Sequence, residues 1–262
     1  MARRPIRSEA HPKKPKTAKE RLDVLVVERG LAPSRQRAQA LLLAGQVRVD
    51  GMRMDKAGAQ VSTDARIEIA CEQLRYASRA GLKLEGALED FGLSPRGLIC
   101  MDVGSSTGGF TDCLLQRGAR KVFAIDVTID QLDWKLRQDS RVVTLEKNAR
   151  HLAAGDIAEP AEFVTADVSF IAVSKILPAI VPLAAAGADF VILVKPQFEL
   201  EKRDVGKGGI VRDAKLHQKA IDRVSEAAAR AGLEIGGVRP SKLTGAEGNQ
   251  EFFLHARRGR VE

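Results

Sequence analysis

The sequence predicts a doubly wound α/β domain preceded by a small α+β module, and three patterns carry that expectation. Short continuous apolar runs recur in the second part of the chain: Leu98 to Val103, Val122 to Val127, Val142 to Leu145, Phe163 to Val168 and Phe190 to Val194. Runs without polar alternation suit strands covered on both faces of a parallel sheet. Helical segments stand between them, as parallel crossovers require. The first run then turns through clustered glycines into a helix, at the sheet edge where ligands bind in this architecture.

In chain order, residues 1–20 read as a flexible basic tail. Residues 1–21 hold eight Lys/Arg against two Glu, with Pro5, Pro12 and Pro15 and almost nothing to bury. The formal charge is +8, and the rest of the chain is close to neutral. A basic arm gains free energy by releasing counterions from a phosphate backbone, which points to nucleic acid.

Residues 21–70 form the small module. Leu22, Leu25 and Val26 supply an amphipathic turn ended by Gly30. Ser34 can cap a second helix carrying Ala38, Leu41 and Leu42, which Gly45 stops. Gln46 to Gly51 alternates and closes on an Asp-Gly turn, and Arg66 to Ile69 alternates again, so a β segment follows the two helices.

Residues 71–78 read as a linker. The second domain, residues 79–257, opens with a helix from Gly81 to Phe91. It ends with a helix from Asp213 to Ala231 and two closing strands, Leu233 to Val238 and Glu251 to Ala256.

Composition narrows the class. Hydrophobic residues are 44% and charged residues 29% of 262, enough to bury a core. The longest uncharged stretch, Ile176 to Ala188, is broken by Pro178 and Pro182 and is too short for a membrane span, which needs about 20 residues. Three cysteines without ligand spacing and no apolar signal core predict a reduced cytoplasmic protein, without a cysteine-bound metal and without a membrane partner. The oligomeric state is left open.

The first strand runs into Asp102, Val103, Gly104, Ser105, Ser106, Thr107, Gly108, Gly109 and Phe110. Glycines at such a turn let a ligand approach the backbone. Asp126 ends the second strand, placed to accept hydrogen bonds from ribose hydroxyls. Serine at the third position of Gly-x-Gly argues against a nicotinamide dinucleotide. The acid before the turn, the Gly-Ser-Ser-Thr-Gly-Gly loop and the acid after strand two resemble the S-adenosylmethionine site of class I (Rossmann-like) methyltransferases. That resemblance adds Asn148, after the third run, as the contact to adenine, and Asp167 at the end of the fourth.

Four ionisable residues recur at the same sheet edge: Lys83 on the helix before strand one, Asp167 after the fourth run, Lys195 after Phe190 to Val194, and Glu251 at the last strand. A lysine behind five apolar residues is expected to be partly desolvated, which disfavours its ammonium form. Lys195 is therefore the candidate base for removing a hydroxyl proton during methyl transfer. Lys83 would press it further toward neutrality, and the two acids would orient the cluster.

The ordered set Lys83, Asp167, Lys195 and Glu251 is similar to the Lys-Asp-Lys-Glu tetrad of FtsJ-type ribose 2′-O-methyltransferases. The phrase from Leu22 through Arg29-Gly30-Leu31, Ser34-Arg35, Gly45-Gln46-Val47 and Val49-Asp50-Gly51 resembles the alpha-L RNA-binding motif. In it, Arg29, Arg35, Arg37 and Arg48 are the side chains expected to meet RNA phosphates.

With Asp167-Val168-Ser169-Phe170, Val194-Lys195-Pro196-Gln197-Phe198-Glu199 and Gly248-Asn249-Gln250-Glu251, the chain from about residue 20 to 257 resembles the hemolysin-A (TlyA) family. The resemblance implies methyl transfer from S-adenosylmethionine to the ribose 2′-hydroxyl of cytidines, with ribosomal RNA or ribosomal subunits as partner. It also implies a flexible loop at residues 197–212. Base methylation is disfavoured because Asp167-Val168-Ser169-Phe170 lacks the Pro-Pro-aromatic clamp of amino methyltransferases. The alternatives outside this chemistry are an RNA-binding ribosome-assembly factor and a cytolysin.

Overall fold

The computed structural model describes residues 18–43, 45–69, 75–245 and 247–259. The chain divides into two compact units, Met1–Gln73 and Leu74–Glu262. Most of the expected basic tail, residues 1–17, lies outside the described residues, as do residues 71–74 of the expected linker.

The first unit contains β1 (Lys19–Arg21), α1 (Leu22–Glu28), α2 (Arg35–Leu43), β2 (Val47–Val49), β3 (Met52–Met54), β4 (Gln60–Ser62) and β5 (Ile67–Ile69). An antiparallel sheet of order β3-β2-β5 lies beside a two-stranded pair, β1 with β4. Lys19 and Glu20, read from sequence as the end of the tail, are therefore strand. They are fixed by backbone pairing to Ser62 and Val61, and a three-residue Lys-Glu-Arg stretch carries no apolar pattern to announce it.

The Asp50-Gly51 turn joins β2 to β3 with both residues at positive φ, 50° and 82°, as a tight hairpin requires. Ser34 caps α2, its hydroxyl accepting the Arg37 N–H. Leu22, Val26, Ala38, Leu42 and Val47 are fully covered. Beside them Asp23 is also wholly buried, accepting hydrogen bonds from Arg21, Arg35 and Gln39. The hydrogen bond from Arg21 is the main reason its carboxyl stays well below the usual carboxylate range.

The second unit runs α3 (Ala80–Phe91), β6 (Ile99–Val103), α4 (Gly109–Gln116), β7 (Lys121–Asp126), α5 (Trp134–Gln138), β8 (Val142–Glu146), β9 (Ala161–Ala166), α6 (Leu177–Ile180), β10 (Ala184–Val194), α7 (Pro196–Glu199), α8 (Ala214–Arg230), β11 (Leu233–Pro240) and β12 (Phe252–Arg258). The strands form one sheet of order β11-β12-β10-β9-β6-β7-β8. The pairs β10–β9, β9–β6, β6–β7 and β7–β8 are parallel, while β12 runs antiparallel to both neighbours. All of β6 and the end of β10 from Phe190 to Val194 are buried, the double-faced burial that their unbroken apolar runs imply.

One apolar layer joins Leu84, Leu88, Phe110 and Leu114 to the sheet, and the other joins Ile176, Leu177, Ile180, Ala220 and Val224. The end of the expected linker belongs to this unit. Tyr76 is buried with its hydroxyl donating to Glu85, and the Ala77 N–H donates to Asp112. No helix among the described residues is long and apolar enough to cross a membrane.

Candidate active site

The carboxyl ends of β6, β7, β9 and β10 converge on a cleft of about 940 Å³, whose lining includes Gly104, Ser106, Asp126, Asn148, Asp167 and Phe170. Parallel register sets this convergence. Val103 is opposite Ile125 on one side and Ala166 on the other, so Gly104, Asp126 and Asp167 emerge side by side. Gly104 has φ +86°, and a Cβ there would lie 2.3 Å from the Asp167 carbonyl oxygen. Only glycine lets these two strand ends pass so closely.

The turn after β6 is fastened to β7. The N–H groups of Gly104 and Ser105 both donate to the Ile125 carbonyl at 2.8 and 3.1 Å. Ser106, at φ +47°, donates its N–H to Asp126 Oδ2 at 2.9 Å. Asp126 is thus oriented by the turn itself while it lines the cleft. Asn148 also lines the cleft, and its side-chain oxygen accepts the Arg150 N–H at 3.0 Å.

Not every residue of the glycine phrase lines the cleft. Asp102 is completely buried behind it, with Thr165 and Thr111 hydroxyls donating to its two oxygens at 2.8 and 2.7 Å. Burial pushes its carboxyl up to about 6, against the opposing pull of those hydroxyls. Asp102 therefore braces β6 against β9 and α4. Phe110 is core, and Gly108 packs against Leu132 and Leu136, where a Cβ would collide. Ser105, Thr107 and Gly109 likewise do not line the cleft. The Ser105 hydroxyl is buried without a hydrogen-bond partner among the described residues.

The four tetrad residues meet as two ion pairs. Lys195 Nζ lies 2.5 Å from Asp167 Oδ1, and Lys83 Nζ lies 2.6 Å from Glu251 Oε2. Their side chains are between 3% and 16% exposed, reachable but largely enclosed. The β10–β12 register pairs Val194 with Phe252, so Lys195 and Glu251 follow at the next facing positions and the two pairs adjoin.

The first contact is an ion pair by distance, and Asp167 Oδ1 accepts no well-aligned hydrogen bond among the described residues. Lys195 instead donates to Ser169 Oγ at 2.8 Å. Where the sequence reading set Lys83 against Lys195, the structure gives each lysine its own carboxylate.

Ser169, Phe170 and Phe198 carry no role in the sequence reading, yet Ser169 and Phe198 lie against Lys195 and Phe170 packs on Phe198. Phe170 is 93% exposed, at the left-handed φ of +64°, with its ring 5.5 Å from that of Phe198. Lys195 Nζ lies 6.0 Å from the Phe198 centroid, within cation–π range. The signal available in sequence was a polar-aromatic pair, Ser169-Phe170, one residue beyond a strand-end acid.

The four arginines named in the first unit divide. Arg29 donates to the Ala65 and Thr63 carbonyls, and Arg35 pairs with Asp23 at 3.0 Å. Arg37 and Arg48 are exposed and form no side-chain ion pair or hydrogen bond among the described residues. The fold engages two of the four, and the other two face water.

Comparison with known proteins agrees with this anatomy. Residues 76–258 match the profile of FtsJ-like methyltransferases, and residues 20–67 match that of the S4 domain. The chain is 46% identical over 90% of its length to the Mycobacterium tuberculosis protein named 16S/23S rRNA (cytidine-2′-O)-methyltransferase TlyA, covering 89% of that protein. It is 41% identical to hemolysin A of Brachyspira hyodysenteriae, over 90% of this chain and 98% of that one.

A Streptococcus thermophilus structure described as a hemolysin superposes with TM-score 0.73 at 41% identity, covering 93% of this chain and 90% of the other. A Listeria monocytogenes S-adenosylmethionine-dependent methyltransferase shares the fold of the larger unit, with TM-score 0.53 at 15% identity. An S4 unit in front, an FtsJ-like sheet behind and two lysine–carboxylate pairs at its ligand edge together make this chain a member of the TlyA/hemolysin-A family of FtsJ-like methyltransferases.

Proposed function

We propose that the protein transfers a methyl group from S-adenosylmethionine to the ribose 2′-hydroxyl of cytidine in ribosomal RNA, working on ribosomal subunits or their RNA in the cytoplasm. The observation that carries this reading is the pairing of Lys195 with Asp167, a residue that lines the same cleft as Gly104, Ser106 and Asp126, while Lys195 itself and the Lys83–Glu251 pair lie outside that lining. The cleft suits the cofactor by its size, by the oriented Asp126 carboxylate, and by the unpartnered Ser105 hydroxyl buried in the turn beside it. When bound, S-adenosylmethionine supplies an electrophilic methyl group on a sulfonium. Asp126 and Asn148 would hold its ribose and adenine, with Gly104 and Ser106 against it.

The chain's own residues then handle the proton and the acceptor. To accept a hydroxyl proton at Nζ, Lys195 must enter the step as an amine. Its contact with Asp167 offers a direct route, since moving one proton from Nζ to Oδ1 converts the ion pair to a neutral pair without changing the net charge. Ser169 keeps Nζ aimed, and the Lys83–Glu251 pair supports the neighbouring strand end. Phe170 presents an aromatic face on which an unstacked base can lie. Arg37 and Arg48, with Arg29 and Arg35 nearer the fold, supply cations for RNA phosphates.

Tritiated-methyl transfer to ribosomal subunits or rRNA tests this reading, with nuclease digestion and mass spectrometry locating the methyl on sugar or base. Lys195→Ala is expected to lower kcat by about 10²–10⁴-fold. A methylated base, or undiminished activity in that variant, contradicts the assignment.

A further inference from the structure

We infer that Glu199 is a positioning residue that sets the height of the 167–174 segment against Lys195, a role that rests on the proposed methyl transfer. The carboxylate is 2% exposed, sits at the end of α7 and is four residues beyond Lys195. Among the described residues it forms no ion pair. Oε1 accepts the Val173 N–H at 2.5 Å and Oε2 accepts the Ser174 hydroxyl at 3.3 Å.

The segment it grips is the one that carries the chemistry. Asp167 is fixed at one end, its N–H donating to the Val103 carbonyl at 2.9 Å. Ser169 is held in the middle by Lys195. Glu199 holds the far end, and between the last two anchors lies Phe170, with its left-handed backbone.

Lys195 and Glu199 belong to one short turn, since the N–H groups of Phe198 and Glu199 both donate to the Lys195 carbonyl. The same turn therefore clamps the opposite segment at two points, and the distance between Nζ and the Asp167 carboxylate depends on both. A buried carboxylate costs stability relative to a neutral group, and burial raises this one despite the Val173 N–H and the nearby Arg223 and Lys175. A buried acid that bonds two groups of the facing segment, placed on the wall of the cleft, fits a role in geometry. Local misplacement there has large consequences, since shifts of about 1 Å can cost around 100-fold in rate.

The experiment compares Glu199→Gln, Glu199→Asp and Glu199→Ala with wild type in methyl transfer to RNA, in calorimetric binding of S-adenosylmethionine, and in hydrogen exchange. Glutamine keeps an acceptor at the right reach and should retain kcat within about threefold. Aspartate keeps the charge but falls one methylene short, so Asp and Ala should both lose about 10–100-fold in kcat. Cofactor affinity should stay within about twofold and binding stoichiometry at one in all variants. In Asp and Ala, the Val173 amide should exchange more than tenfold faster while β10 amides keep their protection.

Undiminished kcat in Ala overturns the inference, as does a Gln variant as impaired as Ala, or cofactor affinity falling in step with kcat. Wild-type protein that transfers no methyl group to RNA overturns the functional reading and this inference together. Wild-type transfer with unaffected Asp and Ala variants overturns this inference alone.

Discussion

The two units use the same ingredients, carboxylates paired with cations, to opposite ends. In the small unit Asp23 lies at the centre of the core and collects donors from Arg21, Arg35 and Gln39, while the arginine side chains reach outward to water. In the larger unit Asp167 and Glu251 stand at strand ends, each against one lysine, and Asp167 Oδ1 accepts no well-aligned hydrogen bond among the described residues. Saturated charge fastens a fold, because every buried polar atom has its partner. At the wall of the cleft, Asp167 has fewer donors than Asp23, which is what the proposed proton transfer requires. Residue type does not separate the two cases; the number of donors around each carboxylate does.

The largest effect that would sharpen this contrast is on stability. Asp23→Ala removes the hub of the small unit and should cost about 3–5 kcal/mol, toward the lower end because the arginines reach water. For a unit this small that is most of its stability. NMR spectra should lose the dispersed resonances of residues 18–69 while those of the large sheet persist. Retention of both sets would break the comparison.

Next is a pH effect inside the larger unit. Asp102 is raised from 3.8 to about 6 by burial, so the folded state holds its proton more tightly than the unfolded chain. That contribution is complete below about pH 4 and is lost as pH rises to about 6, amounting to up to about 3 kcal/mol at 1.36 kcal/mol per unit. Asp102→Asn, which cannot ionise, should lose less stability than wild type between pH 4 and 7 in thermal denaturation. Parallel curves would show that the buried acid is already satisfied.

The smallest effects separate the arginines. Arg29→Ala should cost about 1–2 kcal/mol in urea denaturation, because its guanidinium bonds two carbonyls. Arg37→Ala and Arg48→Ala should each stay within about 0.5 kcal/mol. Each of these two should instead reduce the salt slope of RNA binding by about 1. The reverse pattern would place the RNA surface elsewhere.

Much of the sheet was legible because its signal is local. Ile99 to Val103 and Phe190 to Val194 are unbroken apolar runs, and strands buried on both faces need that pattern. Three tetrad residues were legible as types at strand ends and the fourth, Lys83, as a lysine on the helix before the first strand. Which lysine meets which acid was not, since Lys83 and Glu251 are 168 residues apart and their meeting depends on strand order. Phe170's left-handed backbone and the grip of Glu199 on Val173 were also hidden, because both belong to loop geometry imposed by surrounding packing. β1 was missed because its three residues carry no apolar pattern, and Asp102 sits behind the cleft because its threonine partners come from β9 and α4.

The close approach at Gly104 has a consequence for how such a protein can diversify. With no room for even a methyl group between that residue and the Asp167 carbonyl, the ends of β6 and β9 form a single rigid joint. Any side chain at position 104 would have to part these strand ends, whereas the outlying loops at residues 170–175 and 197–201 can change without disturbing them.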